Sequence, residues 1–119
     1  MTQEDKKLLL QDLCARLPYG VKASYYGADE ECETWDEVDG IAFDYVEIGQ
    51  YSLPIERIKP YLFPMSSMTI EQKMKWIHTL SSDYNVTYDT VDWLNKNHFD
   101  YRGLIPMGLA IDATGLNIY

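Results

Sequence analysis

Hydrophobic positions fall first into a helical rhythm. Leu9, Leu13 and Leu17 recur with Leu10 and Cys14 on the spacing of one helix face, and Thr2 with Asp5 supplies a short capping box ahead of them. The pattern predicts a helix from Gln3 to Arg16 with Cys14 in its core face. Pro18 and Gly20 end it, and Val21, Ala23 and Tyr25 then alternate with Lys22, Ser24 and Tyr26 as a half-buried strand that stops at Gly27. From Asp29 to Asp39 seven of eleven residues are acidic, so at least the first half of this stretch is expected to be a solvated loop. Asp39-Gly40 has the composition of a type I′ turn, which predicts strands at Thr34 to Val38 and Ile41 to Ile48 on either side.

Beyond Gly49, Pro54, Pro60 and Pro64 fall within eleven residues and argue against a long helix or a central strand. An edge strand followed by an extended crossing segment is expected there. Thr69 and Gln72 form a second capping box, and Ile70, Met74 and Ile77, with Leu80, mark the apolar face of a second helix whose opposite side carries Glu71, Lys75 and His78. Val86 and Val91 bracket Thr87 as a hydrophobic staple, predicting a third helix from Tyr88 to Asn97. Gly103, Pro106 and Gly108 keep the remainder irregular. The fold class expected is α+β in one domain over residues 1–119. It comprises an N-terminal helix, a small antiparallel sheet of about three or four strands, two further helices and an irregular packed C-terminal tail.

Charge narrows the choice of partners. Nineteen acidic against ten basic residues give a net charge of -9, which repels phosphate backbones and anionic membranes, and the basic residues are scattered from Lys6 to Arg102. Direct nucleic-acid binding and membrane association are therefore not expected. The early residues offer no apolar run longer than Leu8 to Leu10, so neither a signal peptide nor a span is read there. The expected compartment is the cytoplasm, with reduced thiols. Cys32 lies between Glu31 and Glu33, which should raise its pKa and blunt its reactivity. Ten tyrosines exceed ordinary usage and are expected to line the sheet and its edges, or to face a partner.

Candidate chemistry is sparse. His78 falls on the polar side of its helix, and His98 stands at a helix end where a cation complements the macrodipole or the ring packs. The acidic stretch invites a calcium reading, but an EF-hand needs a Glu six residues after the loop glycine, and Val46 holds that place after Gly40. Its carboxylates are read instead as a solvated loop or an acidic docking surface for a basic partner. No dinucleotide, Walker, nucleophile-elbow or C-x-x-C pattern occurs, so no catalytic residue, metal or cofactor is assigned.

Two stretches, Lys59 to Thr69 (KPYLFPMSSMT) and Trp93 to Ala110 (WLNKNHFDYRGLIPMGLA), resemble a family of small uncharacterised proteins from gut anaerobes and their phages or other mobile elements. They cover about a quarter of the chain. The resemblance implies a bacterial or phage intracellular setting and no activity. Phe63 occupies a position that is often basic in the family pattern, which removes any anion contact made there. Residues Trp93, Phe99, Tyr101, Leu104 and Ile105 should fold the tail over the second and third helices, with Asp100 and Arg102 as an internal ion pair or a partner-facing patch. The leading expectation is a non-enzymatic protein-interaction factor, an accessory protein of a phage or mobile element. Its candidate binding residues are Asp100, Tyr101 and Arg102 in the tail and Glu30, Glu31 and Glu33 in the acidic stretch. The alternatives are a small enzyme with an unrecognised carboxylate and tyrosine site, and an acidic nucleic-acid mimic. Oligomeric state is not legible in the residues.

Overall fold

A computed structural model describes residues 1–26 and 33–119. Helix α1 spans Gln3–Arg16, where the Asp5 amide donates to the Thr2 hydroxyl at 3.0 Å and the Thr2 amide to the Asp5 carboxylate at 3.2 Å. These bonds satisfy two of the amides that a helix start leaves without partners. Strands β1 (Lys22–Tyr26), β2 (Glu33–Ala42), β3 (Tyr45–Ile48), β4 (Tyr51–Pro54) and β5 (Ile58–Leu62) follow. Helices α2 (Ile70–Thr79) and α3 (Tyr88–Lys96) and a two-residue strand β6 (Ile111–Asp112) complete the order. The sheet runs β4-β3-β2-β1-β5-β6, antiparallel except for the β5–β6 pair.

Six strands replace the expected three or four: β4 is the edge strand expected after Gly49, and the additional strands β5 and β6 carry little sequence signal, the first because the prolines in and around it read as an extended crossing segment. Interior placement of β5 is compatible with Pro60 because β6 pairs only with Tyr61 and Leu62, leaving Pro60 with β1 as its one strand neighbour. The expected turn at Asp39-Gly40 does not form. Instead Val38 pairs with Ile48 and Gly40 with Glu47, so Asp39 is the extra residue of a bulge, and the chain reverses at Phe43-Asp44 with Phe43 at a φ of 56°. In this register Val38, Val46, Ile48 and Leu53 all reach the core, and their burial outweighs the local turn preference of an Asp-Gly pair. The connection after β3 places Gly49 at a φ of 56°, against the Tyr25 hydroxyl, where a Cβ would not fit.

One core lies between α1 and the sheet, joining Leu9 and Leu13 to Val21, Ala23, Val46 and Ile58. A second forms where Met68, Leu94 and Phe99 meet Trp76 and Trp93, with the Trp93 and Phe99 rings stacked at 5.7 Å. The tail serves both. Phe99 closes the α2–α3 pair as expected, whereas Leu104 crosses into the core beneath α1. Both later helices start at the expected caps, Thr69 and Thr87. Helix α2, however, packs through Trp76 and leaves its expected core face, Ile70, Met74 and Ile77, 80%, 58% and 45% exposed. Among the described residues no helix is long and apolar enough to cross a membrane.

Candidate functional site

The register of α1 decides what surrounds the tail residues. Leu9, Asp12, Leu13 and Arg16 occupy its buried face, a turn apart, and this choice swings Cys14 outward; the thiol expected in the core is exposed. Asp12 and Arg16 are both fully buried. The Arg16 Nε donates to Asp12 Oδ2 at 2.9 Å, and Arg102 Nη1 donates to Asp12 Oδ1 at 2.8 Å, so one carboxylate bridges two guanidinium groups. Arg16 Nη2 also donates to the Phe99 carbonyl at 2.6 Å, while its Nη1 lacks a partner among the described residues. Tyr101 lies between the two cations, 5.4 Å from Arg16 and 4.6 Å from Arg102, and donates its hydroxyl to Asn95 Oδ1 at 2.9 Å.

The expected pairing of Asp100 with Arg102 is therefore replaced. Asp100 accepts from the amides of Leu104 and Ile105 at 2.8 and 2.9 Å, and Arg102 turns to Asp12, ninety positions away in sequence. The physical reason is local. Gly103 takes a φ of 76°, and the turn it makes directs two backbone donors at Asp100, which a buried carboxylate accepts at no cost in side-chain reach.

Arg102 remains 22% exposed and borders an open groove of about 860 Å³ along α1. Lys6, Lys7, Leu10 and Cys14 line it from the helix, and Asp44 from the β2–β3 turn closes one side. A hydrogen bond with Glu56 holds Lys6 above the ordinary lysine range, and the same contact holds Glu56 below the ordinary carboxylate range. The groove was not foreseen. Asp12 and Arg16, spaced i to i+4 in register with Leu9 and Leu13, were the signal that the helix turns a different face outward.

Of the acidic half of the candidate set, only the backbone of Glu33 lies among the described residues. Glu30 and Glu31 lie outside the described residues. Glu33 opens β2 opposite Tyr26, and ten strand residues, about 30 Å, separate it from the turn that bears Asp44. Cys32 also lies outside the described residues.

A separate cluster fastens the end of the tail. His98, at a φ of 61°, stacks on Tyr119 with centroids 3.8 Å apart. Burial and the nearby Arg16 and Lys22 cations push His98 down to about 4, so of its two expected roles it takes the packing one as a neutral ring, not that of a helix-end cation, while burial pushes Tyr119 up to about 12. The Tyr119 hydroxyl donates to the Tyr61 carbonyl at 2.8 Å and accepts from the Lys22 amide at 2.9 Å. Lys22 Nζ donates to the Ile118 carbonyl at 2.9 Å and lies 5.3 Å from the Trp35 ring. His78 is exposed, as expected. Among the described residues no group of three His, Cys, Asp or Glu side chains is placed to hold a metal ion. No family model, curated protein or solved structure matches the chain.

Proposed function

We propose that the chain is a non-enzymatic intracellular protein-interaction factor, an accessory protein of a phage or mobile element, and that its protein partner docks in the groove along α1. The observation that carries this reading is the groove's lining. Lys6, Lys7 and Arg102 line the groove beside Asp44, with Leu10 as an apolar contact, on a chain whose net charge is -9; Lys6 is paired with Glu56 and Arg102 with Asp12, so Lys7 is the lining cation without an ion pair among the described residues. An unpaired lysine beside an apolar contact favours an acidic segment of a partner. The enzyme alternative asks for convergent acid and base groups, and this groove combines lysines, a thiol and one carboxylate without an imidazole. The nucleic-acid mimic draws on Glu37 and Glu47 on the sheet face away from α1, but Lys22 and Lys59 share that face and interrupt the row of acids.

Affinity capture from cells that naturally make the protein tests the proposal when run beside a Lys7→Glu variant. A near-stoichiometric protein partner that is lost with Lys7→Glu is expected. No such partner would overturn the interaction reading, and a partner retained by the variant would move it to another surface.

A further inference from the structure

Strand β2 changes neighbours along its ten residues. Residues 33–37 pair with β1, whereas β3 pairs with Val38, Gly40, Ile41 and Ala42, so over residues 33–37 the edge away from β1 meets no strand among the described residues. Exposure agrees. Thr34, Trp35, Asp36 and Glu37 are all exposed whereas Val38 is buried, and because side chains alternate, both faces of this half meet solvent as well. The phase of the ladder decides which backbone groups the open edge presents. The Val38 amide donates to the Val21 carbonyl at 2.9 Å, and bonded pairs alternate in an antiparallel ladder, so Thr34 and Asp36 bond to β1 while Glu33, Trp35 and Glu37 turn their amides and carbonyls outward. Two observations agree with that phase. Pro60, which has no N–H, pairs with Ala23 on the far side of β1 at a non-bonded place, and the Glu37 amide donates to Asp36 Oδ1 at 2.7 Å instead of to β1.

We propose that this edge is a strand-addition site, which takes an extended basic segment of a protein partner as a further strand beside β2. Outward amides and carbonyls at every second residue are what an added strand pairs with, and the side chains beside them select which strand. Here charge makes the selection. Asp36 and Glu37 form no ion pair among the described residues, and Lys22, opposite Glu37 on β1, donates its Nζ to the Ile118 carbonyl. Glu37 shares the face away from α1 with the Trp35 ring, which is 45% exposed, so a lysine or arginine of the added strand on that face meets a carboxylate and an aromatic ring. A carbonyl of the added strand replaces Asp36 at the Glu37 amide and leaves that carboxylate for a further cation. The same acids disfavour a second copy. Antiparallel pairing about Trp35 would set Glu37 of each copy opposite position 33, also acidic, of the other, and pairing about Glu37 would set that residue against itself. None of these residues lines the groove along α1, so the site stands independently of the docking proposed there.

The probe is a fluorescein-labelled decapeptide of alternating lysine and threonine, titrated with the full chain and followed by anisotropy beside a decapeptide of alternating glutamate and threonine. Saturable binding of the lysine peptide alone is expected. Amide exchange followed by NMR reads the mode of binding in the wild-type protein, where the Trp35 amide should exchange at least about tenfold more slowly in the complex. Trp35→Pro removes an outward amide without removing a bond to β1, so it should bind about tenfold more weakly than Trp35→Thr, which lacks the ring but keeps the amide. Glu37→Gln should weaken binding about two- to fivefold. No binding at millimolar protein would overturn the proposal, as would equal binding of the glutamate peptide, a Trp35 amide that exchanges as fast in the complex as in the free protein, or equal affinities of Trp35→Pro and Trp35→Thr.

Discussion

Asp12 is the carboxylate on which the buried cations of this fold depend, and its loss should be felt more than that of either arginine's exposed neighbours. It is fully buried, accepts from Arg16 and Arg102, and sits where α1 meets the tail. Changing Asp12 to Ala leaves the fully buried Arg16 with only the Phe99 carbonyl as a hydrogen-bond partner among the described residues. Breaking one side of a buried ion pair in this way costs about 3 to 5 kcal/mol. At about 0.05 to 0.15 kcal/mol per residue, 119 residues yield a total stability near 6 to 18 kcal/mol, so the variant forfeits a large share of it.

Arg102→Ala is the informative contrast. The arginine is partly exposed and Asp12 keeps Arg16, so the loss is one charge-assisted hydrogen bond and a stacking contact, about 1.5 to 3 kcal/mol. Urea unfolding, compared at constant m, should rank the wild type above Arg102→Ala and Arg102→Ala above Asp12→Ala, and the double variant should be less destabilised than the sum of the two. A midpoint for Asp12→Ala within 1 kcal/mol of the wild type, or an additive double variant, would refute the bridge as the tie between α1 and the tail.

The remaining expectations concern other joints of the fold. His98, held down to about 4 against an unfolded value near 6.5, binds fewer protons folded than unfolded at acid pH. Stability should therefore hold above pH 6.5 and fall as pH drops toward 4, by about 2 kcal/mol at pH 5, and His98→Asn, which tolerates positive φ, should flatten that fall in urea titrations. Gly49→Ala combines a positive φ with a Cβ against the buried Tyr25 hydroxyl and should lower stability by about 2 to 4 kcal/mol, partly restored by Tyr25→Phe; a melting temperature like the wild type's would refute this packing. Thr69→Ala removes the α2 cap and should cost about 1 kcal/mol, whereas no change would mean that α2 is held by its contacts alone.

Elements that rest on local chemistry were legible in the residues. The Thr2 and Thr69 caps appear with the side-chain bonds that their spacing predicted, and Thr87 caps α3 where the staple placed it with Thr90 as a further partner, because a cap needs only partners three residues away. Where competition was long range, local signals lost. Asp39-Gly40 became a bulge since Val38, Val46 and Ile48 had to share one face, a demand spread over two strands. The two residues of β6 have no periodicity to read, and they pair because Ala113 and Ile118 bury against Tyr61.

The misplacement of two apolar faces has a common origin. In α1 a count of leucines put Cys14 inside, yet the helix buries Asp12 and Arg16 instead, since a paired carboxylate and guanidinium with further hydrogen bonds can occupy core positions that their types would ordinarily avoid. In α2 the strongest apolar stripe lies outside, since one Trp76 ring against Leu94, Phe99 and Trp93 occupies the inner side. Periodicity reports that a face is apolar without saying what covers it. For α1 the cover is this chain's own sheet and tail, and the polar residues turned outward by that choice line the groove. For α2 the chain supplies no cover for Ile70, Met74 and Ile77 among the described residues, so the face that periodicity marks as apolar stays at the surface.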